Sequence, residues 1–396
     1  MKISELGKTV TGKTPSTKNE KYFEGNILFI TPTDITNGGY VEQTERHISE
    51  EGFNSIKTNT ISGKSILVGC IGSDMGNVSW TDKTCASNQQ INAITDIIDE
   101  INPIYIYYKL SQMKEYLRQL AGTTTTPILP KSIFDDIDLE IQDRNIQDKI
   151  VGILFNIDKK IENNNKINAE LESMAKTIYD YWFLQFEFPN EDGKPYKSSG
   201  GKMVWNEELK REIPEGWSTT TIGDITICHD SERIPLSGKD RENMVGDIPY
   251  YGATDIMGYV DKPIFDGDYV LLAEDGSVMD EEGHPILQRV TGQIWVNNHA
   301  HVLEPIKKHS CKLLMMFLKD VYVPMIKTGS IQMKINQENM NGITVPDIPD
   351  DLKEKINLEL CTIEKKQLQI IAENQELASL RDFLLPMLMN GQVGFK

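Results

Sequence analysis

No run of apolar residues in this chain of 396 amino acids approaches the ~18–20 needed to span a bilayer as a helix. The first residues, Met1-Lys2-Ile3-Ser4-Glu5, have no apolar core behind their positive charge, so a secretory leader is not expected. Cysteine is scarce. Cys70, Cys85, Cys228, Cys311 and Cys361 are odd in number and scattered, with no C-x-x-C pair. That pattern argues against a zinc ribbon or a disulfide scaffold and for a reduced, cytoplasmic protein. Positive charge is also short: 41 Lys and Arg against 59 Asp and Glu leave a net charge of −18. Contact with phosphates favours a basic surface, so this balance argues against nucleic-acid binding by the chain as a whole. Two accounts stay open: positive charge is local to one face, or partners supply much of any phosphate grip.

Catalytic signatures are missing too. Asn102-Pro103-Ile104-Tyr105 is one residue from the Asn-Pro-Pro-Tyr motif of adenine methyltransferases, but Ile104 breaks it and no glycine-rich cofactor loop accompanies it. The local reading is Asn102 as N-cap and Pro103 as first helical residue, opening a helix through Tyr108 to Leu120. Gly63-Lys64-Ser65 has the tail of a phosphate-binding loop, but Thr58 stands where that loop needs glycine. A turn before an Ile66-Leu67-Val68 strand is the simpler reading. His299 and His301 share a face if they lie on a strand, yet no third metal ligand is placed by the sequence. We assign no catalytic residue and no metal.

What the chain does have is length for two domains or more, and an internal repeat. Lys149-Ile150 matches Lys355-Ile356, Ile157-Asp158-Lys159-Lys160 matches Ile363-Glu364-Lys365-Lys366, and Glu170-Leu171 matches Glu376-Leu377, all at an offset of 206. Each copy carries a seven-residue apolar repeat: Ile150, Ile157, Asn164, Leu171, Ile178 in the first, and Ile356, Ile363, Ile370, Leu377, Leu384 in the second. Ile153, Ile167, Met174 and Tyr181 form a second seam in the first copy. Such spacing predicts two long helices in a coiled coil, with Asn164 as a polar register device. Pro189 follows the first helix, and Pro386 with Gly391 is expected to close the second.

The segments before the helices repeat more loosely. Thr33-Asp34-Ile35 answers Thr254-Asp255-Ile256, and Gly72-Ser73 after a strand answers Gly276-Ser277. Asn88 to Ile94 answers Asn297 to Leu303, and Gly122-Thr123 answers Gly329-Ser330. The order is module, helix, module, helix. Short β-rich runs with Gly, Asn and Asp turns make each module α+β. Residues 187–216 between them, rich in Pro, Gly, Ser and charge, read as a linker.

Four marks then coincide: Tyr181-Trp182-Phe183…Phe186 at the end of the first helix, Asp192-Gly193-Lys194-Pro195-Tyr196-Lys197, Pro214-Glu215-Gly216-Trp217, and the two Ile-Asp/Glu-Lys-Lys helices. On these the chain resembles, over essentially its full length, the DNA-specificity subunits of Type I restriction–modification systems. The resemblance implies an α+β fold: two target-recognition domains in pseudo-symmetric tandem, separated by two long antiparallel coiled-coil helices. It implies domains at 1–145 and 217–348, spacer helices at 146–186 and 349–391, and no catalysis by this chain. Each domain would read half of a bipartite site in double-stranded DNA. Two methyltransferase subunits using S-adenosylmethionine, and restriction/translocase subunits using ATP and Mg, would be the partners. The first module lacks its own Pro-x-Gly-Trp, so a shorter entry strand is expected there.

Polar residues in the paired turns are the candidate DNA contacts: Gly72, Ser73, Asn88, Gln89, Gln90 and Thr123, Thr124, Thr125, Thr126 in the first module. Gly276, Ser277, Asn297, Asn298, His299, Lys327, Ser330, Gln332 and Lys334 are their counterparts in the second. The same residue types also cap turns locally. Partner contacts are expected at Tyr179, Tyr181, Trp182 and Phe183, and at Phe383 and Met387, because aromatics there exceed what a two-helix seam can bury. The rival readings are a coiled-coil adaptor that binds proteins and not DNA, which the acidic charge favours, and a metal enzyme built on His299 and His301.

Overall fold

The computed structural model describes residues 1–36, 38–72, 74–122, 127–329 and 333–394. The chain divides into two units, Met1–Asn163 with Glu373–Lys396, and Asn164–Ala372. The division falls inside both long helices, Arg144–Tyr179 and Asp350–Met389.

In the first unit a five-stranded sheet runs Lys8–Thr11, Ile91–Thr95, Ser65–Gly69, Val78–Thr81, Gly39–Tyr40, the first four strands antiparallel neighbours. A four-stranded sheet built on Ile27–Ile30 and Cys85–Ser87 lies in the same unit. The second unit has a six-stranded sheet that opens in the corresponding order: Thr226–Cys228, Ala300–Pro305, Phe265–Ala273, Leu287–Val296, again antiparallel. Both sheets are followed in the chain by a nine-residue helix, Pro103–Ser111 and Cys311–Lys319. Asn102 caps the first of these, its side chain accepting from the Ile104 amide with Pro103 at the first helical position. The helix stops at Ser111 and a second one starts at Lys114, so the expected single helix to Leu120 is broken.

Entry strands differ as expected. Ser218–Thr221 pairs with Thr344–Asp347 over four residues, whereas the first unit has a single bridge, Lys2 to Asp138.

Within each unit the long helices pair antiparallel. In the first, Ile150 and Leu154 share a core with Leu388 and Met389, and Lys160 pairs with Glu373 at 3.2 Å. In the second, Gln367 reaches Glu172 at 3.2 Å. Burial follows the repeat along one seam: Ile150 and Ile356 are both 0% exposed, and Ile157 and Ile363 are 9% and 8% exposed. Asn164 is buried on the same seam. The second seam of the first helix is different, since Ile153, Ile167, Met174 and Tyr181 are exposed. A two-helix pair has one mutual face, so a second apolar stripe stays outside it.

Two expectations are corrected. Pro386 lies inside the second helix, which continues to Met389 before Gly391, at φ +65°, ends it. A proline one turn from a helix end removes only the bond to the carbonyl four residues earlier. Residues 187–216 are also more than a solvated linker. Phe188 stacks on Tyr196 and on Trp217, with ring centroids 4.7 and 5.2 Å apart. Met203–Asn206 and Arg211–Pro214 form a hairpin. Three aromatic rings supply enough apolar area to hold a Gly- and Pro-rich segment in place.

Candidate nucleic-acid interface

The two sheets present the same hydrogen-bonded frame at one end. The Asn88 amide donates to the Ile30 carbonyl at 3.0 Å, as Asn297 does to Tyr251 at 3.1 Å. Cys70 donates to Gln90 and Glu274 to His299, both at 2.8 Å. Leu129 donates to Cys70 and Ile335 to Glu274, both at 2.9 Å. Gly72 donates to Pro127 and Gly276 to Met333, both at 3.2 Å. Each unit thus joins a strand end, a Gly turn, an Asn turn and the segment just after the Gly122 or Gly329 turn.

Local chemistry explains the turns. The Asn88 side-chain oxygen accepts from the Gln90 amide at 3.0 Å, and Asn297 does the same for His299 at 2.8 Å. These are Asx turns, in which a short side chain stands in for backbone. Gly72 and Gly276 have φ of +82° and +77°, and Gly122 and Gly329 have +84° and +80°. Glycine takes that conformation without the strain a Cβ would bring.

The turns expose some candidates and spend others. Gln89 and Asn298, the middle residues of the Asx turns, are exposed, as are Gly276, Ser277 and His299; Gly72 is half-buried. Gln89 accepts from Thr14 at 3.0 Å, and Gln90 accepts from Asn88 at 2.9 Å. Asn297 is buried and structural, so it corrects our expectation of a direct contact. His299 Nδ1 lies 2.6 Å from Asp275. Lys327 Nζ reaches Met333 Sδ at 3.2 Å. Ser73, Thr123, Thr124, Thr125, Thr126, Ser330 and Gln332 lie outside the described residues.

Lys334 is committed elsewhere. Its amine is 2.8 Å from Glu274, which also takes Arg233 at 2.6 Å. Burial alone would raise the Glu274 carboxyl, but the Lys334 and Arg233 contacts outweigh it and hold it below the usual value. Buried carboxylates persist only when paired in this way. In the first unit the matching position is Cys70, a neutral thiol pushed up to about 12 by burial.

Sequence reasoning missed the residues behind the frame. Asn92 donates to the Leu129 carbonyl at 3.4 Å and accepts from Thr11 at 2.7 Å. His301 donates through Nε2 to the Ile335 carbonyl at 2.9 Å, and its Nδ1 faces Asp230 at 2.5 Å. The match of Asn88 with Asn297 carries Asn92 onto His301, and that was the available signal. Cys228, Asp230 and His301 are close enough to hold a cation. However, Arg233 stands 3.3 Å from Asp230 and His301 is already bonded on both sides, so no metal is needed there. His299 points to Asp275 instead, so the two histidines do not share a site.

At the helix ends, Tyr179 and Phe183 are buried in the second unit's core against Phe317. They are packing residues, correcting our expectation that they face a partner. Trp182 is half-buried, Tyr181 exposed, Met387 half-buried, and Phe383 is 63% exposed. Met174 and Leu380, related by the 206 offset, are 53% and 46% exposed. Among the described residues no helix is long and apolar enough to cross a membrane.

The Type I restriction modification DNA specificity domain family matches residues 1–173 and 214–376, two tandem copies covering most of the chain. The MjaIX specificity subunit of Methanocaldococcus jannaschii is 27% identical over 415 aligned positions, 99% of this chain and 92% of that protein. The HindI specificity subunit of Haemophilus influenzae is 36% identical over 181 positions, 43% of this chain and 38% of its own. The fold is similar to the crystal structure of the S subunit of a Type I restriction–modification system from M. genitalium, with TM-score 0.61 at 19% identity, covering 98% of this chain and 95% of that one. With the family's domain present twice on a duplicated frame, the chain belongs to the Type I restriction–modification DNA specificity subunits.

Proposed function

We propose that the chain reads a bipartite site in double-stranded DNA, one half per unit, and directs adenine methylation and restriction by partner subunits. The observation that carries this reading is the recurrence of four backbone hydrogen bonds with equal lengths to within 0.1 Å in both units. Base edges are read by side chains on rigid mounts, and two copies of one mount suit two half-sites. Residues 1–145 and 217–348 are the target-recognition domains, and 146–186 and 349–391 the spacer helices. The gap between half-sites then follows helix length.

The exposed apolar positions of the long helices, Met174, Tyr181, Leu380 and Phe383 among them, receive two methyltransferase subunits. S-adenosylmethionine belongs to those subunits, and ATP with Mg to restriction/translocase subunits. The frames hold little free positive charge, with Lys334 paired to Glu274, so partners supply much of the phosphate grip. The protein works with its partners inside the cell.

Methylome sequencing of a host expressing the chain with its cognate methyltransferase, against a deletion of the chain, tests this. Loss of one bipartite adenine motif with a fixed unread gap is expected. An unchanged methylome with active methyltransferase present would put the protein-binding adaptor in its place.

A further inference from the structure

Behind the exposed turns, each unit spends one buried polar side chain on one carbonyl. In the first unit this is Asn92 on Leu129, backed by Thr11. In the second it is His301 on Ile335, backed by Asp230. Asn92 and His301 are each 1% exposed, so neither side chain touches DNA. The strands agree as well: Thr11 pairs with Asn92 in the ladder, and the Val302 amide, next to His301, donates to Asp230 at 3.2 Å.

We propose that Asn92 and His301 are equivalent positioning residues for sequence reading, each setting the half-site discrimination of its own unit. This rests on the specificity reading above. The carbonyl each one holds belongs to the segment whose next amide bonds link it to the Gly turn and the strand end. Leu129 and Ile335 each donate to the strand end, and Pro127 and Met333 each accept from the Gly turn. Releasing the carbonyl therefore loosens the turns as a set, while the core beneath is unchanged. A buried carbonyl left without its donor seeks another partner, and base readout loses geometry before phosphate contact does. The two units differ in how the tether is backed. Thr11 and Asn92 are neutral, whereas Asp230 also pairs with Arg233 at 3.3 Å.

The test uses the complete complex with its methyltransferase. The wild-type methylome defines the motif. Duplexes carrying that motif, or single-base changes in either half, are then methylated by wild type, Asn92→Leu, His301→Leu and His301→Asn. Each Leu variant is expected to lose about tenfold in discrimination at one half-site, a different half for each, with the other half unchanged. His301→Asn, which copies the first unit's arrangement, is expected to retain discrimination. Asp230→Asn keeps the ring and removes its backing carboxylate. It must relax the same half-site as His301→Leu, and it answers the question if the Leu variant does not fold. Discrimination lost equally at both halves, or at neither while wild type discriminates, overturns the proposal alone. A wild-type complex without any bipartite motif overturns the specificity reading and this proposal with it.

Discussion

Asp158 on the first long helix accepts a 3.1 Å hydrogen bond from Arg381 on the second, within the first unit. The Tyr108 hydroxyl donates to the same carboxylate at 2.5 Å. The contact ties both helices to the helix that packs on the sheet. Arg381→Ala should lower stability by about 1–2 kcal/mol, the range for a partly exposed charged hydrogen bond. Arg381→Lys should recover little, since the guanidinium reaches Asp158 at 3.1 Å and Asp382 at 2.9 Å at once, which a single amine cannot copy. Urea unfolding of the three proteins checks both expectations.

The two apolar seams of the long helices should separate by mutation. Ile356, on the buried seam, is 0% exposed, and Ile356→Ala should cost about 2–5 kcal/mol through the cavity it leaves. Met174→Gln, at an exposed position, should change stability by less than about 0.5 kcal/mol. Capture of the methyltransferase should nevertheless weaken severalfold. Melting curves beside titration calorimetry with the purified partner would show whether stability and docking part company.

Gly72 and Gly276 have open space where a Cβ would stand, so alanine there meets no clash. The cost is conformational, about 1–2 kcal/mol for a left-handed L-residue. Gly72→Ala and Gly276→Ala should each lower the melting temperature by a few degrees. Each should also impair methylation of one half-site variant set and spare the other.

His229 supplies a pH dependence. Burial pushes its ring downward, but hydrogen bonds to Glu232 and Glu304, at 2.6 and 2.8 Å, win and raise it. A raised folded value means stability is fully present below the unfolded pKa of about 6.5 and is lost as pH rises through the folded one. Melting temperature should fall as pH rises above about 6.5 and through the raised folded value, and less so in His229→Gln. An identical slope in that variant would sink the assignment. Glu274 works in the opposite direction. Its carboxyl is held low, so its contribution is present above its unfolded value and disappears as acid protonates it in the folded state.

The repeat was legible because it is written in residue type and offset. Ile150 with Ile356, and Asn88 with Asn297, could be paired from the sequence alone. The seven-residue apolar step foretold both long helices, though not which seam faces the neighbour. Ile153 and Met174 satisfy the periodicity as well as Ile150 does, and only a docked partner helix selects between faces. Tyr179 and Phe183 depart from the sequence expectation for a related reason. Aromatic surplus at a helix end marks an interface, but whether the interface lies inside the chain depends on what packs there, and here it is Phe317.

The sequence by itself determined the duplication, the α+β module followed by a long helix, and the Gly and Asn turns, because these depend on local conformation and spacing. Only the tertiary structure decided that Asn92 and His301 each hold one carbonyl, by an amide and by an imidazole, and that Lys334 belongs to Glu274. Hydrogen bonds and ion pairs between segments far apart in the chain form only when the sheet brings them together, and no offset along the sequence encodes that distance.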